Sequence, residues 1–518
     1  MASSPPAARA GRREWIGLAV IALPCMLYSM DLTVLNLAVP ALSADLQPSS
    51  TQLLWILDIY GFLVAGSLIT MGTLGDRIGR RRLLMIGAGA FGIASVVAAF
   101  STSAEMLIVT RALLGLAGAT LAPSTLSLIR NMFIDPGQRT FAIGVWVTSY
   151  SVGGAVGPLI GGLVLEYFHW GSVFLIGVPV MLLLLIVGPM LLPEFRDPEA
   201  GRLDLLSAAL SLVAVLSVIY GLKRIAEQGV GWLPVVSVLA GFLIGYGFVR
   251  RQRKLADPFI DVGLFRSPAF SASLAAYTLG TFVAFGVYIF IAQYLQLVLG
   301  LSPLQAGLWM VPSMGAYIVG SMVVPAIAQR VHPAYAMGAG MVIAAVGFGV
   351  LTRMNQGPAL VMLVTGSIIY SLGISPVVIL ATDLIVGSAP VERAGAASAI
   401  SETSSELGGA LGIAILGSIG AAVYRGLMVD AVPSGVPTRA ADVARSTLGG
   451  ALAEAGRLPG GAGAELIDTA RAAFVQAFEV TAAISAAISL ATAVLAWVLL
   501  RRVRRGPESS AEPGPALA

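Results

Sequence analysis

The sequence predicts an all-α integral membrane protein. Fourteen transmembrane helices are expected, as two six-helix pseudo-symmetric bundles with two further helices inserted between them. Three observations predict this. The chain has 518 residues, 57% hydrophobic and 11% charged, with a mean hydropathy of +0.88, whereas soluble domains carry about 25% charged residues. Apolar runs of ~20 residues, the length that crosses a bilayer core as a helix, recur fourteen times between charged or Pro/Gly-rich breaks. Short motifs also repeat at nearly constant separation. Asp135-Pro-Gly-Gln-Arg139 is matched by Ala389-Pro-Val-Glu-Arg393, Gly153-Gly-Ala-Val-Gly157 by Gly408-Gly-Ala-Leu-Gly412, and Pro123 by Pro376, at offsets of 254, 255 and 253 residues. A duplicated bundle with its binding site between the halves is a common architecture of secondary transporters.

In chain order the runs fall at 15–39, 53–74, 83–101, 105–128, 140–164, 172–192, 204–222, 232–249, 269–297, 305–328, 335–352, 359–386, 395–422 and 474–500. The first carries Asp31 and leads into further spans, so it reads as a retained helix rather than a cleaved signal. The expected organisation is a tail at 1–14, an N-terminal bundle at 15–192 and a linker with two inserted spans at 193–268. A C-terminal bundle follows at 269–500, including an outer loop at 424–472 rich in Gly, Ala and Pro. A tail at 501–518, rich in Pro, Ser, Glu and Ala, is expected to be disordered. An even number of spans puts both ends on one side. That side holds 22 Lys and Arg residues and the other 8, among them Lys223 and Arg224, which leaves Arg111 alone inside a span. The asymmetry places both termini in the cytoplasm and the protein in the cell membrane.

The stretch Gly72-Thr-Leu-Gly-Asp76-Arg77-Ile-Gly79-Arg80-Arg81-Arg82 joins the second and third runs. A turn with one acid and four arginines cannot lie in hydrocarbon, so it marks a cytoplasmic interface. Asp76 is expected to face backbone amides or a helix N-terminus, and the arginines to face lipid phosphate. At the least the hairpin anchors topology; more sharply, it is a latch that holds the two halves closed on one side.

Charged groups inside spans cost about 2.5–3.5 kcal/mol each on insertion scales, so each needs a partner or a task. At ~1.5 Å per residue, Asp31 lies roughly 13 Å, Arg111 roughly 10 Å and Asp58 roughly 8 Å from the outer ends of their spans. The three therefore share a layer and are expected to converge. An Asp31–Arg111 pair could be a static tie between helices. It could equally be a switch in which a cation or proton competes with Arg111 for the carboxylate. Glu402 and Glu406 stand four apart and share one helix face. Two carboxylates there repel, and one proton relieves the repulsion; alternatively one of them only lines a wet cavity. Asp383, about a turn from the inner end of its span, suits an interface or gate.

Gly153, Gly157, Pro158, Gly161 and Gly162 suit tight helix packing and bending. The ninth run carries Tyr277, Phe282, Phe285, Tyr288, Phe290 and Tyr294, and Trp55, Tyr60, Tyr150, Trp309 and Met310 are further cavity candidates. Aromatic faces attract lipophilic cations and Met adapts to varied shapes. Most of these side chains are expected to pack or to face lipid, and Tyr288 is the one taken as a cavity residue.

Several function classes are excluded or disfavoured. The basic residues sit at loop ends rather than on one face, which is no nucleic-acid footprint. The single cysteine, Cys25, lies in a span and permits no disulfide framework, and His169 and His332 are far apart, so no metal-ligand cluster is visible. No Gly-x4-Gly-Lys-Ser/Thr occurs, and the only lysines are Lys223 and Lys254. A fused ATP-driven motor is thus absent, and no catalytic constellation points to an enzyme. No cofactor is implied.

The Gly72–Arg82 hairpin resembles the signature loop of the major facilitator superfamily, and Gly153-x3-Gly157-Pro158-x2-Gly161-Gly162 resembles the motif shared by its antiporters. The run Met30-Asp31-Leu-Thr-Val-Leu-Asn-Leu-Ala-Val-Pro40 is similar to one found in drug exporters. Together with Ala381-Thr-Asp-Leu-Ile385, Ala389-Pro-x-Glu-Arg-Ala-Gly395 and Ser401-Glu-Thr-x-x-Glu-Leu-Gly-Gly-Ala-Leu-Gly412, these runs resemble the fourteen-span drug:proton antiporters of the QacA/SmvA type. Two departures stand out: Gly177 precedes Val178-Pro179 where many relatives carry Asn, and no acid lies near Pro312 in the tenth span. The resemblance implies a monomeric, proton-coupled efflux antiporter, seated in the lipid bilayer, that exports lipophilic cationic drugs across the cytoplasmic membrane. Proton coupling and substrate binding would fall to Asp31, Asp58, Arg111, Glu402 and Glu406. The rival readings are a dedicated exporter of one endogenous natural product and, from another class, a membrane-embedded enzyme. Exchange of a monovalent cation for one proton uses the pH gradient alone; a second proton adds the potential, worth about 2.3 kcal/mol per charge per 100 mV.

Overall fold

The computed structural model describes residues 9–196, 204–255, 258, 260–354, 358–388, 394–433, 436–458 and 461–501. The Pro390–Arg393 repeat arm, Arg202 and the tail beyond Arg501 lie outside these residues. Among the described residues, fourteen helices are long and apolar enough to cross a membrane. Spans 1–6 are Arg12–Leu46, Ser50–Ile78, Arg80–Ala99, Ala104–Met132, Gly137–Tyr167 and Ser172–Leu191. Spans 7 and 8 are Leu205–Gln228 and Trp232–Gln252. Spans 9–14 are Pro268–Val298, Pro303–Ala328, Pro333–Leu351, Ala359–Gly387, Ala397–Ala431 and Ala462–Leu500. Span 1 begins and span 14 ends on the same face, the end face; the opposite face is the far face.

The helices run beyond the apolar stretches because polar caps continue them into the interface. Ser49 and Gln52 exchange side chain-to-backbone hydrogen bonds of 2.9 and 3.2 Å at the start of span 2. Ser302 and Gln305 do the same for span 10. Two expectations change as a result. Span 7 does not stop at 222. No Pro or Gly follows until Gly229, so the helix carries Lys223 and Arg224 within it; neither belongs to an outer loop. The 424–472 segment is mostly helix rather than loop. Span 13 continues to Ala431, short helices occupy Thr438–Ser446 and Leu448–Ala455, and span 14 starts at Ala462.

The repeated motifs make equivalent contacts in the two halves. Gly153 of span 5 lies so close to span 1 that a Cβ would stand 2.0 Å from the Met26 carbonyl oxygen. Gly408 of span 13, its partner in the repeat, likewise lies close to span 9, where a Cβ would stand 2.3 Å from Thr281 Oγ1 and 2.7 Å from the Thr278 carbonyl oxygen. Each half thus backs its fifth helix onto its first through glycine, as close packing in lipid favours.

The two halves meet at mid-membrane and on the far face. Glu166 accepts from the Leu304 amide, Gln296 donates to the Leu37 carbonyl, Gly61 backs onto Ala410 and Gly307 onto Pro158. Arg425 of span 13 donates to Ser50 Oγ of span 2 and to the Ala226 and Glu227 carbonyls that end span 7. Every one of these contacts lies between mid-membrane and the far face. The inserted spans 7 and 8 pair closely at Gly221 and Gly241. Span 7 then lies over the seam between halves. Its Ile219 shares an apolar cluster with Phe62 of span 2 and Ala410 and Ala414 of span 13. Span 8 exposes Trp232, Phe242, Leu243 and Tyr246, a surface suited to lipid.

Candidate substrate cavity and buried ion pairs

A cavity of about 370 Å³ lies between the halves, walled by spans 1, 5, 9, 10, 12 and 13. Tyrosines come from five of these helices: Tyr28, Tyr150, Tyr277 and Tyr288, Tyr317, and Tyr370; Phe285 and Met314 complete much of the apolar wall. Glu406 is the one acid among the lining residues. Its Oε1 accepts a 2.7 Å hydrogen bond from Tyr28 Oη, which joins span 13 to span 1 across the seam. The hydroxyls of Tyr150 and Tyr288 are buried without a hydrogen-bond partner. They are donors that a ligand could satisfy, because a buried polar group gains by any partner it finds. Aromatic walls, one carboxylate and a flexible thioether suit a lipophilic cation.

Tyr288 therefore stands where expected, and Tyr277, Phe285 and Tyr150 with it. The other candidates do not. Phe290 stacks on Phe478 at 5.8 Å between centroids, Tyr294 packs against the same ring, Met310 is buried elsewhere and Trp309 is exposed. Tyr60 lies under Arg111 and Trp55 under Lys223. Sequence reasoning missed Tyr28. It lines the cavity with Leu32, one turn on, whereas Asp31 lines a separate pocket on another face of span 1, so the charged residue gave no signal for it.

Asp31 and Arg111 form the expected ion pair through Oδ2 and Nη1. The guanidinium is buried over the Tyr60 ring, 4.6 Å from its centroid, and its Nε donates to the Ile56 carbonyl at 3.2 Å. Asp31 borders a narrow pocket within the N-terminal half, with Phe91, Ser95, Phe174 and Gly177.

Asp58 does not join them. Its side chain leaves the opposite face of span 2 and meets Lys223 Nζ at 2.6 Å. Neither side chain has any exposure, so Asp58 is the more enclosed acid and Asp31 the better solvated. The ammonium also lies 3.7 Å above the Trp55 ring. A crevice of about 50 Å³ separates Asp58 from Glu406, with Gly61, Phe285 and Gly409 on its walls. Glu402, one turn from Glu406 toward the end face, is exposed, as is Asp383 near the end of span 12.

The hairpin also differs from expectation. Asp76 pairs with Arg80, Oδ1 to Nη2 at 2.6 Å and to Nε at 2.8 Å. Arg80 is buried and reaches the Pro123 carbonyl. Arg81 reaches the Pro189 and Leu192 carbonyls, and its amide donates to Glu194. Asp76 and protein carbonyls, not lipid phosphates, thus hold these two arginines; those that Arg81 meets are left unsatisfied by the end of span 6. Gly79 has φ of +112°, and Glu194 closes on it where a side chain would stand; Gly72 lies beside Pro123. Arg77 is exposed. All these contacts stay within residues 72–194, the N-terminal bundle and the first residues after it, and none reaches the C-terminal half. In the antiporter motif, Gly153, Gly157 and Gly161 face span 1, and Pro158 and Gly162 face span 10.

The model of the Major Facilitator Superfamily matches residues 21–413. The chain belongs to the Major Facilitator Superfamily. It is a multi-pass membrane transporter. Among curated relatives, it is 43% identical to the multidrug efflux pump LfrA of Mycolicibacterium smegmatis, over 96% of this chain and 99% of that protein. It is 35% identical to the methyl viologen resistance protein SmvA of Salmonella typhimurium, over 95% and 99%. It is 31% identical to the tetracenomycin C resistance and export protein of Streptomyces glaucescens, over 99% and 96%. Among solved structures, a bacterial homologue of the human lysosomal transporter Spinster superposes with a TM-score of 0.66 at 18% identity, over 96% of this chain and all of that one. Superfamily membership accounts for the paired bundles around a central cavity.

Proposed function

We propose that this protein is a proton-coupled multidrug efflux antiporter. It exports lipophilic cationic compounds across the cell membrane by alternating access, with both chain ends in the cytoplasm. The observation that carries the reading is Glu406, a carboxylate on the wall of a tyrosine- and phenylalanine-lined cavity between the halves. The efflux and resistance activities named for the relatives support the same class. With far-face contacts closed, the state described loads from the cytoplasm. Glu406 meets the cation, while Asp31, released from or returned to Arg111, carries one coupling proton. The Asp76 hairpin times the change of state and closes on the other half only when the cytoplasmic side closes.

Drug susceptibility of an efflux-deficient host with and without the gene tests the function. Tolerance should rise for ethidium and quaternary ammonium compounds, and fall back when the proton gradient is collapsed. No change for any cation would count against it. A dedicated exporter of one natural product is favoured by the tetracenomycin relative. Tolerance confined to a single uncharged antibiotic would select that reading.

A further inference from the structure

We propose that Lys223, on the inserted span 7, is a coupling residue of the transport cycle. It holds Asp58 as its counter-ion in the state described here and releases it when a proton binds Asp58. This rests on the transport reading above.

Three observations carry it. The pair is fully buried at 2.6 Å, and no hydrogen bond from any other described group reaches the Asp58 oxygens or Lys223 Nζ. An unpaired charge at that depth is costly, so the pair closes whenever Asp58 is ionised. Second, Asp58 is not sealed off from the cavity. The crevice between Asp58 and Glu406 shares Leu32, Phe285, Ser405 and Glu406 with the main cavity. Its volume is that of about one or two water molecules. Third, span 7 lies over the seam where spans 2 and 13 meet, so a change in its grip on span 2 is felt by both halves.

The charged groups around Asp58 leave Lys223 as its partner. From span 13, Glu406 faces it across the crevice. From span 4, Arg111 is committed to Asp31 and to the Ile56 carbonyl on the other side of span 2. At the far end of the seam, Arg425 is held by Ser50 and the carbonyls of span 7. A proton that enters by the crevice binds Asp58 and makes it a neutral acid. The Lys223 ammonium then keeps only the face of Trp55, and the tie between spans 7 and 2 opens. When that same proton leaves Asp58, the pair closes again. An O–H bond forms and later breaks, and no other species is consumed.

Purified protein in liposomes separates this role from a static tie. Ethidium is followed in two modes: uphill movement driven by a pH gradient, and exchange with no gradient. Lys223→Met should lower the driven rate by at least about tenfold while exchange stays within about twofold of wild type. The uncharged pair Asp58→Asn/Lys223→Met leaves no lone charge. It should fold and exchange, and still fail to respond to the pH gradient. Driven transport with the wild-type pH profile in either variant would overturn the proposal. If Lys223→Met does not fold, the uncharged pair decides alone. A wild-type protein that exchanges no ethidium would overturn the transport reading instead, and this proposal with it.

Discussion

At the scale of single residues, two ion pairs, Asp31 with Arg111 and Asp58 with Lys223, decide where charge can rest inside the bundle. Arg111 needs its whole fork: one arm meets Asp31, Nε meets the Ile56 carbonyl, and the plane lies over Tyr60. A lysine keeps the charge but not this geometry. Arg111→Lys should lose the Ile56 contact, at about 1.5–3 kcal/mol for a hydrogen bond to a charged group. The loss should appear as a lower melting temperature of purified protein together with impaired driven efflux. An unchanged melting curve would contradict it. The Asp31–Arg111 pair was legible in the sequence because depth along a helix can be counted. The fate of Asp58 was not, because depth says nothing of azimuth. Asp58 and the Ile56 carbonyl belong to one helix turn, yet they serve opposite faces. Lys223 was hidden for another reason: a charged residue at the end of an apolar window reads as loop, and only the partner on another helix retains it in the span.

At the scale of elements, glycine contacts and the hairpin fix where and how closely helices pack. A Cβ at Gly157 would stand 2.2 Å from Thr33 Oγ1, and one at Gly412 2.1 Å from the Phe282 carbonyl oxygen. Overpacking of this kind costs about 1–3 kcal/mol. Gly157→Ala and Gly412→Ala should therefore both slow transport by similar factors, measured as ethidium efflux at matched protein level. A large effect of one and none of the other would contradict the equivalence of the two contacts. These glycines were readable because the repeat preserved them at one offset. The hairpin was readable as an interface but not in its contacts, since Arg80 and Arg81 bind carbonyls contributed by residues 123, 189 and 192. Asp76→Asn removes the partner of Arg80 without touching the cavity. It should reduce transport while drug binding to purified protein is retained; loss of both together would contradict a timing role.

At the scale of the whole molecule, the fold was legible because length, apolar runs and duplication all bear on it. Which helices the insert touches was not, since that depends on a seam formed only once both halves are folded. The far-face closure makes a direct forecast. In a background without Cys25, Glu166→Cys with Leu304→Cys should cross-link across the seam, given the 3.4 Å contact there. The cross-link should stop transport until a reductant is added; full activity in the cross-linked protein would contradict alternating access at this seam. In the proposed cycle the cavity acid selects cations while protons drive transport. The most direct measurement compares efflux of ethidium and of a neutral dye by wild type and Glu406→Gln in energised vesicles between about pH 6 and 9. Glu406→Gln should lose most ethidium efflux and keep most neutral-dye efflux, and the latter should still collapse with the pH gradient. Equal losses for the two dyes, or wild-type efflux that survives collapse of the gradient, would contradict it.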